Sequence, residues 1–146
     1  MPHVVAGVEA LQRRIAESLT ERLGTLGIEL RGSHGRILDL IGPDGTRPSV
    51  LAHGWVSKQA IGQRIRELHE LGLVEVERDR DDRRATVVRR TRQGDLILAQ
   101  LAAGIAELER ELRDQVGAAR YEVFRGVLDE LAGNHLPPAL DQRNGG

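Results

Sequence analysis

The sequence predicts a mainly α-helical protein with one small β-hairpin, and two neighbouring periodicities carry that prediction. Between Ser57 and Gly72 the apolar residues Ile61, Ile65 and Leu68 fall on one stripe with Gly72, while Gln59, Gly62, Gln63 and Arg66 share another. Ser57 stands at the N-cap position and Gly72 at the C′ position, so this helix has both a start and a stop. After Gly72 the period drops to two. Val74, Val76 and Arg78 alternate with Glu75 and Glu77, a charged loop runs from Asp79 to Ala85, and alternation resumes from Thr86 to Arg90. A helix with a polar outer face, followed at once by an arginine-rich hairpin, is the pattern of a winged helix-turn-helix.

At 146 residues the chain is one domain's worth, long enough to bury roughly two-thirds of its unfolded surface. Its formal net charge of −1 advertises no bulk affinity for nucleic acid, so charge has to be judged locally. Between Arg78 and Arg92 seven arginines stand against Asp79, Asp81 and Asp82, a local excess of four. Acidic residues gather elsewhere, as at Glu107, Glu109, Glu111 and Asp114. Such asymmetry implies one surface that meets phosphate and another that does not. An isolated charged hairpin could equally be a solvated one; its attachment to the preceding helix favours the phosphate-facing reading. The absence of cysteine excludes disulfides, a thiolate zinc site and a thiol redox switch. No apolar run approaches the roughly 20 residues of a membrane span, and the N-terminus lacks a signal-peptide pattern, so a cytoplasmic protein with no membrane partner is expected.

Taken in order, the chain opens with a helix whose apolar positions are Val4, Val8, Leu11, Ile15, Leu19, Leu23 and Leu26. It is read either as a pairing helix for a second subunit or as an ordinary core helix. Leu30 to Ile41 reads as a short second helix weakened by Gly32 and Gly35. His34 lies in it, and a lone His is more often a satisfied core or surface residue than a ligand. Gly42-Pro43-Asp44-Gly45 is a turn. Thr46-Arg47-Pro48-Ser49 opens the first helix of the helix-turn-helix, Ser49 to His53, with Gly54-Trp55-Val56 as the turn. Arg47 and Ser49, at that helix start, are candidate phosphate contacts, although capping alone explains the small polar groups equally well. Trp55 reads as a core plug rather than a base-stacking group. After the hairpin Thr91 caps a long helix with a seam at Leu98, Leu101, Ile105, Leu108 and Leu112, broken near Gly117. Tyr121, Phe124, Val127, Leu128 and Leu131 mark a last amphipathic helix, and 134–146 is a polar tail expected to be poorly ordered. The terminal helices carry more apolar surface than so small a domain can cover alone, which argues for a homodimer. The organisation is therefore an N-terminal dimerisation helix (1–30), a DNA-binding winged part (31–92), C-terminal dimerisation helices (93–133) and the tail (134–146).

Enzymatic chemistry finds no foothold. A phosphate-cradling glycine loop and a GxSxG elbow are both missing, and His3, His34, His53, His69 and His135 are scattered without a metal-ligand spacing. No catalytic residue, cofactor or metal is expected. Single-stranded nucleic acid is also a poor match, because bases would stack on aromatic rings and Trp55, Tyr121 and Phe124 all lie outside the basic segment. Duplex DNA, read by hydrogen bonds and charge, fits better. The major groove admits a helix, and Ser57, Lys58, Gln59 and Gln63 lie at or near its N-terminal half, with Arg66 on the same outward stripe.

At these residues the chain resembles the MarR-type (multiple antibiotic resistance regulator) transcription factors. The family's Asp-Pro-x-Asp-Arg-Arg followed by Val-x-Leu-Thr-x-x-Gly is similar to Asp79, Asp82, Arg83, Arg84, Val88, Thr91 and Gly94, and Ser-Lys-Gln-Ala with Leu71 to Val74 matches the helical part. Arg80 replaces a frequent Pro, Arg90 replaces a usual Leu, and the segment between Ala52 and Val56 is about one residue short of the family pattern. The resemblance spans most of the chain. It implies a homodimer in which both chain ends interleave beneath two winged domains. Arg84 would enter the minor groove, Asp82 would hold it in place, and Arg80 and Arg83 would contact phosphate. His34 falls where the family borders an effector pocket, and the implied effector is a small phenolic or aromatic carboxylate compound. Such a ligand would change the spacing of two recognition helices that must match half-sites about 34–36 Å apart. The implied function is a ligand-responsive repressor on an inverted-repeat operator. The competing expectation is a winged-helix module that binds protein instead of DNA, which suits the near-neutral charge but leaves the wing arginines idle.

Overall fold

A computed structural model describes residues 3–30, 33–52 and 57–133. Among these the elements run α1 (Val4–Gly24), α2 (His34–Leu40), α3 (Pro48–Leu51), α4 (Lys58–Glu70), β1 (Val74–Arg78), β2 (Thr86–Arg90), α5 (Arg92–Val116) and α6 (Ala118–Ala132). The chain divides into two compact units, 1–104 and 105–146, with the boundary inside α5.

The first unit is built around α4. Ile61, Ile65 and Leu68 are all buried, as their spacing requires, and they meet Ile37, Leu38 and Ile41 at α2, Leu51 of α3, Leu73, Val74, Val88 and Ile97. Ser57 caps the helix start by accepting the Ala60 amide at 3.2 Å. At the other end Gly72 has φ +73, its amide bonds His69 O at 2.9 Å, and the Leu73 amide bonds Leu68 O at 2.9 Å. This pair of bonds is a Schellman motif, sealed by the buried side chains of Leu68 and Leu73. It turns the chain directly into β1, so the hairpin's root is fixed to the end of α4.

β1 and β2 pair antiparallel, with Val74 opposite Arg90 and Val76 opposite Val88. Thr46 adds a third, one-residue rung, exchanging backbone bonds of 2.9 Å with Val88 in both directions. The alternation is half realised in burial. Val74 and Val88 are buried, whereas Val76 is exposed where the hairpin leaves the core.

Two helix expectations need correction. The second helix begins at His34, not Leu30; Leu30 lies outside it and packs against the core as a loop residue. The third begins at Pro48 with Arg47 as its N-cap and ends at Leu51, instead of running from Ser49 to His53. Proline's fixed φ suits the first helical position, which moves the start one residue earlier. His53, the expected turn Gly54-Trp55-Val56 with its core tryptophan, Gly32, and the expected tail 134–146 lie outside the described residues.

Thr91 does cap α5, accepting the Gly94 amide at 3.0 Å. Along that helix Ile97 and Leu108 are buried, and Leu98, Leu101, Ile105 and Leu112 are half-buried. Ile97 was not part of the expected seam; it faces the winged core. In the second unit Gly117, with φ +88, separates α5 from α6. Tyr121 is buried there, and Arg125 donates to Glu109 at 3.0 Å. Val123, Phe124, Val127, Leu128 and Leu131 remain exposed on α6. No described helix is long and apolar enough to cross a membrane.

Candidate nucleic-acid interface

The outward face of α4 presents Lys58, Gln59, Gln63 and Arg66, all exposed, with Ser57 at its N-terminus and Gly62 half-buried between them. The opposite stripe is locked in the core, so this face cannot rotate away. Gln63 and Arg66 are not independent. Arg66 Nη2 donates to Gln63 Oε1 at 2.9 Å, and Gln63 Nε2 donates to Glu67 Oε1 at 3.1 Å. Arg64 Nη1 donates to both Glu67 oxygens, at 3.2 and 2.9 Å. The other partner of that carboxylate comes from α2: His34 Nε2 meets Glu67 Oε2. Arg64 first, then Gln63 and His34, hold the Glu67 carboxyl down to about 2. An ionised carboxylate can only accept, so the His34 proton sits on Nε2. His34 is 3% exposed. It therefore ties the core to the outward-facing helix.

In the wing loop the acidic residues serve the backbone. Asp79 Oδ1 accepts the Asp81 amide at 2.9 Å, and Asp82 Oδ1 accepts the Arg84 amide at 3.1 Å. These are Asx turns, and the Ala85 and Asp79 amides close the loop with bonds of 2.9 Å to Asp82 O and Ala85 O. Asp82 thus reaches Arg84 through its main chain, not its guanidinium. The Arg80, Arg83 and Arg84 side chains are exposed and have no hydrogen-bond or ion-pair partner among the described residues.

Arg47 lies at the wing's root. Its Nε and Nη2 donate to Asp79 Oδ2 at 2.9 and 2.5 Å, bracing the start of α3 against the loop. The Asp81 amide first, and Arg47 next, hold the Asp79 carboxyl below its usual range, and Asp79 raises Arg47 in return. A hollow beside this brace is lined by Asp44, Glu77, Asp79, Arg80 and Arg89 as well as Arg47, both signs together. Ser49 is exposed in the first turn of α3.

This architecture is similar to many solved structures, among them the following three. The reduced form of MarR from E. coli shares 20% identity and a TM-score of 0.73, covering 90% of this chain and 97% of that one. The transcriptional repressor CouR, bound to a 23-mer DNA duplex, shares 19% identity and a TM-score of 0.74, covering 89% and 92%. The transcriptional regulator BldR from Sulfolobus solfataricus shares 25% identity and a TM-score of 0.64, covering 88% and 92%. The chain has the MarR fold. No protein-family model and no curated protein matches the sequence.

Within this MarR fold, sequence reasoning singled out the outward residues but missed three that position them: Glu67, Arg64 and Asp79. Glu67 had a local signal, since it lies four residues from Gln63 and three from Arg64, where helical side chains meet. Asp79 had one too, since an Asp in a tight turn readily accepts the amide two residues on. The link from His34 to Glu67 crosses 33 positions and had none.

Proposed function

We propose that this protein is a sequence-specific, duplex-DNA-binding transcriptional regulator of the MarR family. It works in the cytoplasm as a homodimer on an inverted-repeat operator and represses until a small aromatic or phenolic ligand releases it. One observation carries the reading: an outward helix face of amide and ammonium donors leads, through the turn at Gly72 and the hairpin, to a loop whose Arg80, Arg83 and Arg84 have no partner among the described residues. Cations left unpaired beside a donor face suit a phosphate backbone next to a readable groove. That CouR, of similar fold, was solved on a DNA duplex supports the same choice. Homodimerisation rests on α6, where Val123 and Leu131 are 67% and 80% exposed, and on α1, where Val4, Val5 and Val8 are exposed. An apolar face of that kind favours burial against a second copy.

Selection of duplexes from a random pool by the full chain tests the reading. Recovery of an inverted repeat supports it. No binding to random duplex at low salt would overturn it in favour of a protein-binding winged helix, and a monomer mass by light scattering at micromolar concentration would overturn the dimer.

A further inference from the structure

We propose that Glu67, anchored by His34, fixes the side-chain amide of Gln63 so that α4 presents one donor and one acceptor in a set order, and that this order selects an A·T base pair. The inference rests on the DNA-binding reading above and assigns the specificity of that same helix.

The amide orientation follows from the chemistry of its neighbours. Glu67 Oε1 can only accept, so it must face the NH2 group of Gln63, and Arg66 can only donate, so it must face the oxygen. Flipping the amide would oppose acceptor to acceptor and donor to donor. Each end keeps one free valence, a second N–H on Nε2 and a second lone pair on Oε1. Adenine offers N7 as acceptor and its N6 amino group as donor in the major groove, which a glutamine meets with one bond from each end. Guanine offers N7 and O6, both acceptors, so a held oxygen would face O6 without a proton between them. A mobile amide could turn away from that clash; a held one cannot.

A glutamate on an open helix face would not hold anything by itself, because its own rotamers are free. Glu67 is different because its second oxygen is taken by His34 and Arg64. His34 is packed at the start of α2, in a different helix from α4, so its position is set by the core. Gln59, on the same outward face, has no side-chain partner among the described residues and serves as the internal control.

The test uses the full chain and one duplex recovered by selection, together with its single base-pair permutations. Gln63→Ala identifies the base pair that Gln63 reads. There, wild type should favour A·T over G·C by about tenfold or more. Glu67→Ala and His34→Ala should each reduce that ratio at least fivefold while leaving preferences at other base pairs in place. A purely structural role would weaken all duplexes together and leave the ratio alone. Unchanged ratios in Glu67→Ala and His34→Ala overturn the inference while the DNA-binding reading stands; failure of wild type to enrich any motif overturns both. Where those two variants fail to fold, the wild-type side-chain amide spectrum decides. Gln63 Nε2 protons should exchange with water at least fivefold more slowly than those of Gln59, and equal rates overturn the inference.

Discussion

Gly94 lies so close to Leu73 that a Cβ built on it would stand 2.1 Å from the Leu73 carbonyl oxygen. The same carbonyl accepts the Thr91 amide at 3.0 Å, and Thr91 Oγ1 donates to Gly72 O at 2.6 Å while accepting the Gly94 amide. The threonine and glycine of the motif therefore act together. They dock the start of α5 onto the turn that ends α4, and so set the angle at which the hairpin leaves. Because the obstructing atom belongs to the backbone, Gly94→Ala should destabilise the protein by about 1–3 kcal/mol or more. Urea unfolding of the two proteins checks this. A loss below about 0.5 kcal/mol would mean that the two segments can separate freely.

Arg90 replaces the leucine that the resemblance led one to expect, and it has a particular task. Its Nη1 donates to Leu38 O at 2.8 Å and also to Ile41 O, while Nε donates to Asp95 at 2.7 Å. The last carbonyls of a helix have no partner within it, so the arginine caps α2 from the wing's second strand. Arg90→Leu would restore the common residue yet leave those oxygens unsatisfied. We expect it to lose about 1–3 kcal/mol, read from the urea midpoint at pH 7. A neutral or stabilising outcome would show that water reaches the same oxygens at no cost.

The contrast between these residues explains what could be read in the chain and what could not. The stripe Ile61, Ile65 and Leu68 and the caps at Ser57 and Gly72 were legible because each rests on neighbours a few residues away. The two strands were legible because their alternation is a local pattern, even though they pair across 8 to 16 positions. The start of α2 was not, since Leu30 has the right apolar character but finds its place against the core as a loop residue. Arg90 was visible as a departure, but the two carbonyls it caps lie 49 and 52 positions away. The candidate interface divides in the same way. Exposed donors on α4 follow from a helical period, whereas the histidine behind them belongs to another helix.

The Glu67 carboxyl should impose a pH dependence of defined sign. Its folded-state value is lowered from 4.5 to about 2, so the folded state holds fewer protons on this group than the unfolded state between those values. The resulting stabilisation is fully present above about 4.5 and fades as pH falls towards 2. Glu67→Gln removes the titration while keeping the shape. The difference in urea midpoint between wild type and Glu67→Gln should shrink as pH falls below 4.5. A difference that grew on acidification would mean the carboxylate is destabilising in place.

The wing supplies the sharpest separation between charge and shape. Arg84 is exposed with no side-chain partner among the described residues. Arg84→Ala should weaken binding to the selected duplex and lower the slope of log affinity against log salt by about 0.9 or less. If Arg84 enters a narrow minor groove, the loss of preference should appear only at the flanks of the operator, where A·T pairs narrow it. Asp82 makes the opposite electrostatic prediction. Removing an anion near phosphate should help, yet its Oδ1 accepts the Arg84 amide at 3.1 Å and its main-chain oxygen accepts the Ala85 amide at 2.9 Å. Without the carboxylate the loop loses an Asx turn, and Arg84 must be ordered on binding at an entropic cost. Asp82→Ala should therefore weaken binding, whereas Asp82→Asn, which keeps an acceptor and drops the charge, should bind as well as wild type or better. Fluorescence anisotropy at fixed salt on folded protein reads both. Tighter binding by Asp82→Ala would show that the wing acts as a diffuse positive patch and that its loop geometry carries no specificity.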